Sequence, residues 1–358
     1  MATINLGRIG QNRGAGDELA LFLRLGISEM ITAFDTECVF KNYVRTRNIT
    51  GGRSAKFPVS GRAQAAYHVP GTNIAELDIN VPSDMAEEEI NLDALMIAPQ
   101  KIYDLDEAMA YYEVRQDLTH QAGEALSEDW DRRAARIIFA AAGRNTPQLA
   151  KAINADRVGT SVTLTAGYAA ATKAAKGDEL ISRIGDIKVA MKKKRVPTKD
   201  LICAVPPDEY DFLLESTRAI NADFAGRENG SIADGSPSLR IKGIRVIESI
   251  HVTQAAYTNV AGDRNAEYAQ DLSKCRALIW HKDAIGVLTL KKPQLEMTDP
   301  NGDFFKQYQA HLMTAKMAIG MKSLRPECAA RIVIPSAVIT GKGWPCREVG
   351  PFSWPPVA

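Results

Sequence analysis

The sequence predicts an α+β chain, on three observations. A helical pattern runs from Leu105 to Ala142, the half before it breaks into short extended pieces set apart by Gly and Pro, and strand-like and helix-like stretches alternate after it. A length of 358 residues allows two domains, or one large domain with long excursions. With 45% hydrophobic and 24% charged residues the chain can bury a real core.

Residues 1–16 hold four Gly and few apolar groups and read as a flexible arm. Leu19, Leu21, Phe22, Leu25, Ile27 and Met30 then recur at near-helical intervals, which predicts a short amphipathic helix before a hinge at Gly51-Gly52. From Arg53 to Gln100 the pattern turns extended, in Ala55–Val59, Gln64–Val69 and Glu89–Ile97, with breaks at Gly61, Pro70-Gly71 and Pro82. That is a long two-stranded ribbon. Such a ribbon is marginal alone, so it must lie against the body of its own chain or against another subunit.

Charge is polarised along this half. Residues 1–62 carry nine Lys or Arg against five Asp or Glu, whereas residues 63–104 carry one Lys and eight acids. Asp84 and Glu87 to Glu89 read either as a solvated loop or, in an assembly of copies, as an acidic loop meeting the basic arm of the next copy.

The helix from Leu105 to Ala142 opens with Asp104 and Glu107 at capping-box spacing and stops at Gly143. At 1.5 Å per residue its 38 residues make a rod of ~57 Å. Leu118, Ala122, Leu126, Trp130, Ala134 and Ile138 step by four, so the apolar stripe winds round the rod and predicts a spine touched from more than one side. A strand at Ser161–Leu164 follows. Leu180, Ile184, Ile187 and Met191 then mark a helix ended by Pro197, with Lys192 to Arg195 in its last turn, where cations complement the helix dipole, a reading favoured over a nucleic-acid or nuclear-targeting patch. A strand Leu201–Val205, a helix opened by Pro206-Pro207-Asp208 and a strand Ile244–Ile250 complete an α+β unit. Strands Ala277–Trp280, Gly286–Leu290, Lys306–Met317 and Arg331–Ile334 close the fold, the third suiting an antiparallel partner under the spine. The last 24 residues hold five Pro among Trp344, Phe352 and Trp354, and read as a tail that either docks on a neighbour or hangs loose.

Several functions are excluded by the same reading. The formal charge of +1 offers no excess for a dedicated nucleic-acid binder. The longest apolar run, Ile137–Ala142, is far below the roughly 18 residues of a membrane span, and the acids before Leu19–Leu25 run opposite to a secretory signal, which points to the cytosol. Five scattered Cys and five scattered His give no CxxC and no HExxH, and GxSxG, GxxxxGK[ST] and strand-linked GxGxxG are absent. No catalytic, cofactor or metal site is expected. What remains is a subunit that completes itself by assembling.

Particular residues sharpen this. Leu19–Leu23 (LALFL), Ile31–Phe34 (ITAF), Arg53–Gly71 (RSAKFPVSGRAQAAYHVPG), Tyr103–Leu126 (YDLDEAMAYYEVRQDLTHQAGEAL) and Ala318–Glu327 (AIGMKSLRPE) resemble, in order, segments of the major capsid protein of T-seven-like short-tailed bacteriophages. The resemblance covers residues 17–334. It implies the Hong Kong 97-like fold: an arm over 1–52, an extended E-loop over 53–100, a peripheral domain from 101–145 with return strands 285–334, and an axial domain over 146–284. The resemblance does not extend to the Pro-rich tail 335–358. The resemblance also implies pentamers and hexamers of an icosahedral shell, assembled in the host cytoplasm with a scaffolding protein and a portal protein. Double-stranded DNA would be packaged without sequence-specific binding.

Candidate interface residues are Arg53, Lys56, Phe57, Arg62, Tyr67, Glu87, Glu88 and Glu89, with Trp344 and Trp354 facing a neighbour or a decoration protein. Gly51, Gly52 and Gly71 are candidate hinges between five-fold and six-fold environments. The rival readings are an encapsulin-like compartment of the same fold and a soluble enzyme with an unrecognised site.

Overall fold

The structure, a computed structural model, describes residues 29–35, 37–62, 65, 67–71, 73, 85–103, 114–149, 154–216, 239–298 and 303–335. Twelve strands and four labelled helices within them form two sheets, a ribbon and a long helix that serves both sheets.

The first sheet has the order β1-β10-β11-β4. Its centre is the antiparallel pair β10 (Ile285–Met297) and β11 (Ala310–Ser323). On one edge β4 (Met96–Tyr103) pairs antiparallel to β11, and on the other β1 (Arg45–Asn48) pairs parallel to β10, Arg45 opposite Gly286. The second sheet has six strands. In spatial order they are β5 (Thr160–Thr163), β12 (Ala329–Val333), β9 (Cys275–Trp280), β6 (Ile202–Val205), β8 (Ile244–Glu248) and β7 (Arg240–Ile241). All four residues of β6 are buried, as a central strand covered on both faces requires. Helix α2 (Lys173–Lys193) buries Leu180, Ile184, Ile187 and Met191, and α3 (Pro207–Leu214) packs beside it.

Helix α1 (Val114–Gly143) is the spine. Ala122, Leu126, Trp130, Ala134 and Ile138 are all buried, and the helix meets β11 and β4 of the first sheet and β12, β5 and β9 of the second. The winding stripe therefore does what its step of four predicts. Residues 29–35 form a helix lying across α1. The crossing is at Gly123, where a Cβ would stand 2.8 Å from the Met30 carbonyl oxygen, so only glycine admits the close approach.

Four expectations are corrected. Met96–Tyr103 is a strand of the first sheet, so the ribbon ends at Asn91 and not at Gln100. Residues 65 and 67–69, inside the expected strand Gln64–Val69, are irregular. Asp303–Tyr308 is a short helix, α4, in which the Phe304 and Tyr308 rings, one turn apart, pack tilted at 4.8 Å between centres, and Gln309 at φ 46° reverses the chain before β11 begins. Finally β12 leaves the return strands and joins the second sheet between β5 and β9, a pairing that an isolated apolar pentapeptide does not announce. The expected helix start at Asp104 and Glu107, the stretch 105–113, the arm helix before residue 29 and the tail beyond Pro335 lie outside the described residues.

Candidate subunit interface

The ribbon is built from β2 (Ser54–Ser60) and β3 (Met85–Asn91), with Phe57 opposite Glu88. Period-two alternation gives it two unlike faces. Phe57, Val59 and Ile90 point inward, and Phe57 and Ile90 join Leu92, Leu288 and Leu324 in a small second core. Glu88 shares that inward face. Its carboxylate meets Lys322 at 2.8 Å and Arg144 at 3.6 Å, and accepts the Gln148 side-chain amide at 2.8 Å.

The outward face carries Lys56, Glu87 and Glu89. Lys56 and Glu87 pair at 2.8 Å, which holds the exposed ammonium above its ordinary value, and Glu89 accepts the Ser54 hydroxyl at 2.5 Å. The acidic run is thus a strand whose members are divided between two faces, not a loop. Pro58 is tolerated because a two-stranded ribbon leaves its N–H side without a ladder partner.

Both ends of β2 are fastened to the body. The Arg47 guanidinium donates to the Lys56 carbonyl at 2.9 Å and lies over the Phe57 ring. Beyond β2, Arg62 donates to both oxygens of Asp156 at 2.8 Å and to the carbonyl of Lys194, while Arg157 donates to the Ser60 carbonyl at 2.7 Å. Between ribbon and body lies a cavity of 530 Å³ lined by Arg45, Arg62, Arg157, Arg195, Arg325 and Asp283. One buried carboxylate, Glu327, serves both Arg157 and Arg325, each at 2.9 Å. These arginines come from five separate stretches of chain, and no local spacing signals their meeting.

Past Arg62 several large side chains are exposed. Tyr67 is 99% exposed, Val69 62% and Met85 73%. Arg53 is exposed beside Gly52. Gly52 at φ +102° and Gly71 at φ +93° adopt backbone that side-chain-bearing residues avoid, and nothing stands within 4 Å of a Cβ built on Gly51 or Gly71. Trp344 and Trp354 fall outside the described residues.

A second fastening was not legible in the sequence. Asp131, on α1 and 1% exposed, accepts the Cys38 thiol at 3.0 Å and the backbone N–H groups of Val39 at 2.8 Å and Phe40 at 3.2 Å. Burial outweighs those hydrogen bonds and pushes its carboxyl up to about 6. Phe40 then stacks on Trp280 at 5.1 Å, and the indole N–H donates to the Tyr43 carbonyl at 3.0 Å. Within the basic run Lys192 to Arg195, Lys194 is structural too. Lys194 Nζ donates to the Val158 and Gly159 carbonyls and the Thr160 hydroxyl at 2.7 to 3.0 Å, tying the end of α2 to β5.

Cys38, Cys203, Cys275 and Cys328 are buried, and burial pushes their thiols up, Cys275 and Cys328 to about 12, so thiolate is not available at neutral pH. Among the described residues no three His, Cys, Asp or Glu converge as metal ligands, and no helix is long and apolar enough to cross a membrane.

The family model for Gp10A-like major capsid proteins matches residues 56–333, from the ribbon to the last strand. The chain belongs to this family. The major capsid protein of Escherichia phage T7 is 31% identical over 359 residues, spanning 93% of this chain and 99% of that one. The capsid structure of cyanophage P-SCSP1u superposes with a TM-score of 0.71 at 30% identity, over 84% of this chain and 89% of that chain. The mature capsid of bacteriophage PhiM1, at 16% identity and a TM-score of 0.64, shares the fold over 83% and 87% of the two chains. The capsid protein therefore has the Hong Kong 97-like fold, is a structural and not a catalytic protein, and resides in the phage capsid as one of many copies.

Proposed function

We propose that this capsid protein closes into an icosahedral head of pentamers and hexamers around double-stranded DNA, and that the ribbon is its principal bond to the next copy. One observation carries the reading. The ribbon is anchored to its own body along one face and at both ends of β2, while Lys56, Glu87 and Glu89 on its other face are exposed, as are the side chains of Tyr67 and Met85. A lone monomer gains nothing from exposing large apolar groups of this kind.

Arg53, Lys56, Glu87 and Glu89 would then meet a neighbour across an outward face of mixed charge, which fixes register more than it adds affinity. Gly51, Gly52 and Gly71 would let one sequence serve five-fold and six-fold rings. A balanced overall charge suits a container that must release its DNA, which is held without sequence-specific contacts. A scaffolding protein and a portal protein are the expected partners during assembly in the host cytoplasm, with the tail tryptophans offered to a neighbour or a decoration protein.

Sedimentation with negative-stain imaging, with and without the co-expressed scaffold, tests this. Uniform closed shells are expected. A monomer or small oligomer under every condition would overturn the reading.

A further inference from the structure

Where α1 passes the loop after β8, a cavity of 410 Å³ lies between Arg136 and residues 250–257. Arg136 is 7% exposed and its guanidinium sits 3.8 Å from the centre of the Tyr257 ring. No hydrogen bond and no ion pair reaches that guanidinium among the described residues, and its Nε is buried without a partner. Its helix neighbours are matched: Arg132 by Glu128, and Arg133 by Asp129 and Asp263. Across the cavity, Gln254 gives its amide N–H groups to the carbonyls of His251 and Arg132 and leaves its Oε1 buried with no donor. Ile250, at the rim, is 64% exposed.

A buried guanidinium held by a ring face alone and a buried acceptor without a donor are both costly, and they face one opening that the Glu128–Arg132 ion pair also lines. Whatever fills it must accept from Arg136, donate to Gln254 and cover an apolar rim. A phosphodiester only accepts, so packaged DNA meets one demand of the three. A peptide meets all of them: an Asp or Glu carboxylate accepts, a backbone N–H donates, and flanking carbon covers Ile250.

We propose that this cavity receives an acidic side chain and an adjacent backbone N–H from a neighbouring copy of the chain, making it a second inter-subunit socket, distinct from the ribbon. The inference rests on the reading of the protein as a shell subunit. It assigns Arg136, whose guanidinium meets only the face of the Tyr257 ring among the described residues, a role beyond that contact.

The test is Arg136→Met, which keeps the stem and removes the charge. The isolated subunit should melt at the wild-type temperature or above it, because an unpaired buried charge is gone. Its threshold concentration for shell assembly should rise roughly tenfold or more, with Arg136→Lys in between. Assembly of Arg136→Met at the wild-type threshold overturns the socket. A structure of wild-type shells emptied of DNA gives the second reading, independent of how the variant folds. A neighbour's carboxylate oxygen within hydrogen-bond distance of Arg136 is expected, and its absence, or an Arg136 contact seen only in DNA-filled shells, overturns the proposal. Should the wild-type chain itself form no shells, the capsid reading fails; wild-type shells with an unaffected variant remove the socket alone.

Discussion

The Asp131 carboxylate accepts the backbone N–H of Val39 at 2.8 Å, joining the middle of the spine helix to a segment 92 residues earlier in the chain. With Cys38 and Phe40 on the same carboxylate, one buried side chain decides where the arm enters the body.

Replacing it removes three acceptances at once. Asp131→Ala should destabilise the isolated subunit by about 3 kcal/mol, since each buried donor left without a partner costs on the order of 1 kcal/mol or more. Chemical denaturation followed by tryptophan fluorescence reads this directly through the Phe40–Trp280 stack. A wild-type midpoint would mean that the stack alone holds the arm.

The same carboxyl sets a pH dependence. Its folded value of about 6 lies above its ordinary 3.8, so the folded subunit binds this proton more readily than the unfolded chain does. The stability it contributes is complete below the unfolded value and is lost as pH rises through the folded one. The penalty of Asp131→Ala should therefore grow as pH is lowered from 7 towards 4.5. A penalty constant across that window would contradict the assignment.

Glu88 and its two neighbours should part company. Glu88→Lys sets a cation against Lys322 and Arg144 and should lift the ribbon from the body, seen as faster proteolysis within β2 and β3 of the subunit. The double reversal of Glu87 and Glu89 to Lys should leave the subunit's melting unchanged and impair shell formation. Normal shells from the double variant would make the outward face mere solvated surface.

Tyr67→Ser offers a cleaner separation. A side chain 99% exposed has no burial to lose within the subunit, so any effect belongs to the assembly. Unchanged melting with a raised assembly threshold is expected, and an unchanged threshold would remove Tyr67 from the interface.

Gly320→Ala should act from inside the first sheet. A Cβ there would stand 2.1 Å from the Asn91 carbonyl oxygen, at the point where the ribbon leaves β11. Relief requires backbone movement, so a loss of about 1–3 kcal/mol is expected in thermal or denaturant unfolding. Full stability would show that the ribbon's root is free to shift.

The spine, α2 and most of the strands were legible because their signals are periodic and local: the step of four from Ala122 to Ile138, the run from Leu180 to Met191, the dense apolar stretch of β6. The resemblance supplied the order of the parts. What escaped depends on partners far away in sequence. Nothing in Ala329–Val333 states that β5 and β9 will flank it, and nothing in Glu87 to Glu89 says which carboxylate will turn inward until the register with β2 is fixed. The aromatic pair in α4 was hidden by an apolar alternation that suits a strand equally well. Asp131, Glu327 and the arginines around the ribbon cavity are ordinary surface types by sequence, and only the fold brings them out of water.

The parallel register of Arg45 with Gly286 has a consequence in time. A ribosome adding about 5–20 residues per second needs roughly 10 to 50 s to reach the partner strand after β1 has been made. During that interval the arm has no strand to join, and neither does β4, whose partner β11 comes later still. A nascent chain therefore cannot offer a seated arm or a rooted ribbon to its neighbours, and the order of synthesis itself delays polymerisation until each copy is whole.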